Sequence, residues 1–158
     1  DHGMSHKKKY HHVALGYNYR MTNMQAAIGL AQMEKLDEIL DLRIKQMKYY
    51  YKGLSNISGI TLRKYADWCD PVHWMITITL DGNYDRDKFL SFMKENGIDC
   101  RQMINPVNRA EHFSNNFNNK SFPFSETAST QSLHLPSSIS LTKDAIDYIA
   151  NCIKNFLT

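Results

Sequence analysis

Long hydrophobic runs, paired cysteines and metal-ligand spacings are all missing from this chain, and each absence narrows what it can be. No apolar stretch approaches the roughly 20 residues that span a bilayer, so no membrane helix is expected. Cys69, Cys100 and Cys152 are far apart and odd in number, and no C-x-x-C occurs, so neither a disulfide framework nor a zinc site is implied. A reducing compartment, the cytoplasm, is the natural reading. A formal net charge of +3 is too weak to argue for nucleic acid. The chain starts Asp1-His2-Gly3, neither Met nor a basic-then-apolar leader. That reads as lacking a signal peptide, and as a fragment or processed product. There are no internal repeats. The 158 residues, 42% hydrophobic and 22% charged, suit one domain with a real core.

What is present is a sequence of helix and strand signals. Residues 1–15 are basic and histidine-rich and read as a loop. From Thr22 to about Lys52 one long helix is expected: Met33, Leu36, Leu40, Ile44, Met47 and Tyr51 recur at spacings of three and four. Thr22 and Gln25 have capping-box spacing at its start, and Gly53 is expected to stop it. Ala26, Ala27, Gly29 and Ala31 make its first turns thin, which suits hard packing against another backbone. At about 1.5 Å per residue such a helix is too long for this chain alone to cover. Strands are expected at Gly59–Tyr65, at Val72–Leu80 with Trp74, Ile76, Ile78 and Leu80 on the core face, and at Ile98–Met103. Helices are expected from Asp85 to Asn96, closed by Gly97, around Glu126–Ser132, and from Thr142 onward. Leu133–Pro136 reads as extended, and 104–125 as an irregular loop. Strands interleaved with helices give an α/β or α+β layer on one sheet.

The densest chemistry lies in residues 16–32. Asn18 and Arg20 stand two apart with phenols at Tyr17 and Tyr19. In an extended loop they share a face. An amide and a guanidinium side by side suit a phosphate or carboxylate. On residue type alone, though, they read as turn and surface residues. His2, His6, His11 and His12 match no helical metal-ligand pair and read as a solvated loop. Lys7-Lys8-Lys9 is a charge run, with at most a minor attraction for an anionic ligand.

The stretch Gly16-Tyr17-Asn18-Tyr19-Arg20-Met21-Thr22, followed by Gln25, Ala26, Ala27, Gly29 and Gln32, fits the pattern G-Y-N-Y-R-M-[ST]-x-x-Q-A-A-x-G-x-x-Q. It resembles the DegT/DnrJ/EryC1/StrS family of nucleotide-sugar aminotransferases. The resemblance continues in Asp1–Ser5, Lys9–His12, His73-Trp74-Met75, Gly97-Ile98 with Arg101, and Leu135–Ser138 with Leu141-Thr142, so it spans the chain. It implies the small C-terminal domain of the aspartate-aminotransferase fold (53–158), preceded by an active-site loop and long interdomain helix (1–52). The family's lysine for pyridoxal phosphate (PLP) lies upstream, so the N-terminal PLP-lysine domain is expected to be absent and the chain alone inactive.

The resemblance further implies a cytoplasmic homodimer in which this loop reaches the partner's site. Asn18 and Arg20 would hold the partner subunit's PLP phosphate, with His11, His12, Tyr17 and Arg101 on the substrate side. The implied reaction moves an amino group, from an amino-acid donor such as glutamate, to a nucleotide-linked 4-keto-6-deoxy sugar. No metal, nucleic acid or membrane is implied. After Arg101 the family pattern Arg-Pro-x-x-Tyr-Pro-x-His is only partly kept, with Asn105 and Asn108 replacing its tyrosine and histidine. The competing reading is a non-catalytic interaction or remnant domain that docks through the helix. A Ser/His-x-x-x-x-Lys segment upstream in the gene would separate the two.

Overall fold

The computed structural model describes residues 2–113, 117 and 120–158; Asp1 and residues 114–116, 118 and 119 of the expected 104–125 loop lie outside them. The chain forms two compact units, Asp1–Asp37 and Glu38–Thr158.

In the first unit the basic segment folds back on itself. Met4 bridges His12 antiparallel, the Ser5 N–H donates to the His11 carbonyl at 2.7 Å, and the Val13 N–H donates to the Gly3 carbonyl at 2.8 Å. A Cβ on Gly3 would stand 2.0 Å from the Ala14 carbonyl oxygen, and one on Gly16 2.2 Å from the Gly3 nitrogen. The two glycines are therefore needed for close backbone approach, and Gly3 also adopts φ 73°. Helix α1 (Asn23–Met33) follows, opened by the expected capping box. Thr22 Oγ1 accepts from the Gln25 N–H at 3.3 Å, and Gln25 Oε1 accepts from the Thr22 N–H at 2.9 Å. Within this chain α1 buries none of its residues.

The single helix expected from Thr22 to about Lys52 is two helices, α1 and α2 (Leu36–Leu54). Between them the Lys35 N–H bonds the Gln32 carbonyl at 3.2 Å, an i→i−3 bond that tightens the turn. Glu34 and Lys35 are ordinary helix formers, and nothing in the local sequence explains the interruption.

The second unit adds β1 (Ile60–Leu62), β2 (Ile76–Leu80), α3 (Arg86–Glu95), β3 (Arg101–Gln102), α4 (Pro123–Gln131), β4 (Ser132–Leu135) and α5 (Lys143–Leu157), with 3₁₀ turns at Val107–Arg109 and Glu111–Phe113. The strands form one antiparallel sheet in the order β1-β2-β4-β3. Since β2 and β3 both run against β4, β2–α3–β3 is a split βαβ unit. In register, Ile78 faces Leu133 and Ile76 faces Leu135, while Thr77 faces His134 and Thr79 faces Ser132. The apolar side packs on Tyr50 and Leu54 of α2, Phe89 and Met93 of α3, and Ile146, Ile149 and Ile153 of α5, all buried. Of the two expected layer types, the antiparallel sheet makes this the α+β one.

Local chemistry sets several boundaries as expected. Asp85 Oδ1 accepts from the Asp87 and Lys88 N–H groups at 2.9 and 3.0 Å, and Thr142 caps α5 through the Ala145 N–H. Gly97, at φ 74°, closes α3 with the paired bonds Ile98 N–H to Met93 and Gly97 N–H to Lys94. The strands are shorter than expected. Gly53 lies inside α2 rather than ending it; a Cβ there would sit 3.4 Å from the Ala150 Cβ, so its smallness lets α2 and α5 approach.

The buried face of α2 is also rotated from the expected stripe. Ile44 is exposed, whereas Gln46, Tyr50 and Leu54 are buried. The cause is polar. Arg43 donates to the Trp74 and Ser137 carbonyls, Gln46 to those of Ser138 (2.7 Å) and Leu141 (3.3 Å), and the Tyr50 hydroxyl to that of Pro136 (2.7 Å). One helix face thus satisfies the carbonyls of the connector between β4 and α5.

Tyr50→Phe leaves the Pro136 carbonyl without its buried donor and should lower stability by about 1–3 kcal/mol in urea unfolding. Tyr51→Phe, which frees the Arg63 carbonyl at a more accessible site, should cost less.

Candidate functional site

The Gly3–Gly16 contact anchors the base of the loop that carries the anion-binding candidates, and the capping box ends it. Within it the Tyr17 and Tyr19 rings lie 5.8 Å apart, both exposed. Asn18 Oδ1 accepts from the Arg20 N–H at 3.1 Å. This local turn engages the amide oxygen and spares its N–H donors for an anion.

Arg20 enters a small cavity of about 240 Å³ with His2, Met4, Ser5 and His6. His2 Nε2 is buried there without a hydrogen-bond partner. The cavity thus brings together an unpartnered ring nitrogen and a residue carrying a permanent cation. Asn18 does not line this cavity. His11 and His12 are exposed on the folded-back segment, His12 in the bridge to Met4, and neither enters it. Among the described residues, no group of three or more His, Cys, Asp and Glu side chains is placed to hold a metal, and no helix is long and apolar enough to cross a membrane.

Arg101, exposed on β3, belongs to the second unit. It pairs in register with His134 and lines a cavity of about 230 Å³ with Asp99, His134, Ser137 and Trp74. His134 is 9% exposed, and its Nδ1 lies 3.0 Å from Thr77 Oγ1. Burial first, and then the Arg101 guanidinium, push its pKa below the ordinary histidine value. Asn105 is exposed and within reach of the Ser129 hydroxyl, while Asn108 is half-buried at the wall of a further cavity.

Trp74 corrects the sequence reading. Alternation from Ile76 puts it in the core, but it is 65% exposed. The strand begins only at Ile76, and His73 turns the chain at φ 53°, so the period-2 count does not extend back to Trp74. His134 was missed altogether. Its signal was present in the alternation Ser132-Leu133-His134-Leu135, which places a histidine on the face opposite the core.

The DegT/DnrJ/EryC1/StrS aminotransferase family matches over residues 1–154. The chain is 32% identical over 153 residues to GDP-perosamine synthase of Vibrio cholerae, covering 94% of this chain and 41% of that protein. It is 30% identical over 158 residues to GDP-perosamine synthase of Caulobacter vibrioides, covering 98% of this chain and 42% of that protein. The chain therefore spans about two fifths of the length of these curated relatives. Helicobacter pylori PseC, an aminotransferase involved in the biosynthesis of pseudoaminic acid, shares the fold with a TM-score of 0.87 at 18% identity, over 99% of this chain and 43% of its own.

The lowered pKa of His134 gives a pH signature. Unfolded, the ring takes a proton near 6.5; folded, it does so only at lower pH. The unfolded state therefore binds more protons below that value, and stability present above it drains as pH falls. The urea midpoint should drop between about pH 7.5 and 5.5. His134→Gln should flatten that drop, leaving the part due to His73, whose pKa is also lowered, by burial.

Proposed function

The chain belongs to the DegT/DnrJ/EryC1/StrS aminotransferase family, and from that premise we propose that it is the C-terminal part of a PLP-dependent sugar aminotransferase. The enzyme moves an amino group from an amino-acid donor, glutamate by preference, to the keto carbon of a nucleotide-linked 4-keto-6-deoxy sugar. The relatives named for GDP-perosamine synthesis favour a GDP-linked sugar and a perosamine-type product. The loop and helices of 1–52 serve the active site and the junction between domains; 53–158 is the small domain. The enzyme works in the cytoplasm as a homodimer.

The observation that carries this reading is the Tyr17–Arg20 loop, pinned at Gly16 and carrying donors suited to an anion. When bound, PLP supplies the electron sink for moving the amino group. This chain's part is to hold it. Asn18 offers its amide N–H groups and Arg20 its guanidinium to the phosphate of the partner subunit's cofactor. Tyr17, His11, His12 and Arg101 orient the sugar nucleotide. Neutralising a dianionic phosphate with a permanent cation and an amide needs no proton transfer. Every lysine is exposed, including Lys7, Lys8 and Lys9, so none sits in the desolvated setting that makes a lysine amine nucleophilic.

Two experiments test the reading. Mixed full-length subunits, one set lacking the PLP lysine and the other carrying Asn18→Ala with Arg20→Ala, should form hybrid dimers with one intact site and more activity than either parent. Subunit exchange without recovered activity would show that the loop does not act in trans. Separately, the 158-residue chain incubated with PLP and reduced with borohydride should carry no stoichiometric adduct. Labelling of one lysine in full would overturn the assignment of that role to an upstream domain.

A further inference from the structure

We infer that Arg43 is a positioning residue of the Arg101 cavity: it ties together two of the segments that line this cavity and so sets the shape offered to substrate. This rests on the reading above that Arg101 lies on the substrate side. Strand pairing alone does not set that shape. Arg101 pairs in register with His134, and the β2–β4 pairing stops one residue further, at Ile76 and Leu135. Pro136 then has no N–H to give a ladder. On the other chain His73 holds φ 53°, away from the extended backbone of a strand. The cavity of about 230 Å³ draws on the residues past that point, Trp74 and Met75 on one chain and Pro136 and Ser137 on the other.

Arg43 joins the two chains where the ladder no longer does. Its Nη1 donates to the Trp74 carbonyl at 3.2 Å and to the Ser137 carbonyl at 2.5 Å. Each of these residues stands two positions beyond the last register pair. A terminal guanidinium nitrogen carries two N–H groups, so one atom serves both carbonyls. Gln46 and Tyr50, on the same helix, bond only the connector, at Ser138, Leu141 and Pro136. Of the three, Arg43 alone also holds the Trp74 chain. On the strand side, His134 is fixed by Thr77 Oγ1, 3.0 Å from its Nδ1. Arg101 is exposed, and among the described residues its guanidinium is committed to no hydrogen bond or ion pair. Its donors are therefore available to a ligand, and the segments that Arg43 joins decide how a ligand can approach them.

The test is steady-state kinetics of the full-length, PLP-loaded enzyme with a GDP-linked 4-keto-6-deoxyhexose and glutamate. Arg43→Met keeps the stem and removes the donors. It should raise KM for the sugar by about tenfold, the weight of one charge-assisted hydrogen bond, and leave kcat little changed. Arg43→Lys should recover most of that loss, since an ammonium also donates to two carbonyls. Tyr50→Phe weakens the same connector without touching the Trp74 chain, so it should lower stability and leave KM as it is. In a double-mutant cycle, Arg43→Met added to Arg101→Gln should cost much less than it does alone, as for residues acting on one site. Should Arg43→Met fail to fold, Arg43→Lys carries the same cycle with a smaller rise in KM. The inference is overturned by an unchanged KM in the Arg43 variants, by an equal rise in Tyr50→Phe, by no recovery with lysine, or by additive losses in the cycle. An unchanged KM in Arg101→Gln removes the substrate-side reading and this inference with it. A raised KM there, with none in Arg43→Met, removes this inference alone.

Discussion

Three side chains on one face of α2 hold the second unit in register. Arg43, Gln46 and Tyr50 donate to carbonyls between Pro136 and Leu141, a connector with no strand or helix of its own to satisfy them. A buried carbonyl left without a donor costs as much as a lost hydrogen bond, so this pairing decides where the connector can run. β4, paired on both sides, ends at its start, and α5 begins at its finish. The hydrophobic core, with Ile146, Ile149 and Ile153 against Ile78 and Leu133, is assembled around that polar seam. The segment Leu135-Pro136-Ser137-Ser138, which contributes to the family resemblance, thus has a structural role through its carbonyls.

In the first unit the controlling constraint is steric. Gly3 and Gly16 approach so closely that no Cβ fits at either. The loop beyond them leaves its tyrosines open, turns Asn18 onto the Arg20 N–H and leads directly into the capping box of α1. The pattern Gly-Tyr-Asn-Tyr-Arg-Met-Thr therefore combines two jobs: the glycine and threonine fix the two ends, and the residues between present donors.

Features governed by near neighbours were legible in the sequence. The caps at Thr22, Asp85 and Thr142, the glycine stop at Gly97 and the alternation in β2 all involve residues within a few positions of one another. Features governed by distant partners were not. The buried face of α2 turns toward carbonyls some 90 residues away, a pairing with no local signature. Gly53 resembles a helix stop until Ala150 is seen beside it. Trp74 obeys the strand alternation on paper, but the positive φ at His73 breaks the period. The 16–22 loop was visible through its motif, whereas the Thr77–His134 and Thr79–Ser132 pairs needed the register of β2 on β4.

The glycine contact has a consequence for how this sequence can drift. At Gly3 and Gly16 every substitution adds an atom where backbone already stands, so the loop's foundation admits no gradual change. Asn105, by contrast, is exposed on a segment without regular structure, and many side chains fit there. A lineage under pressure to accept a different ligand would accumulate its changes in that second setting while the first stayed frozen. Asn105, standing where the resembled family pattern has tyrosine, is a substitution of the kind that this unequal tolerance allows.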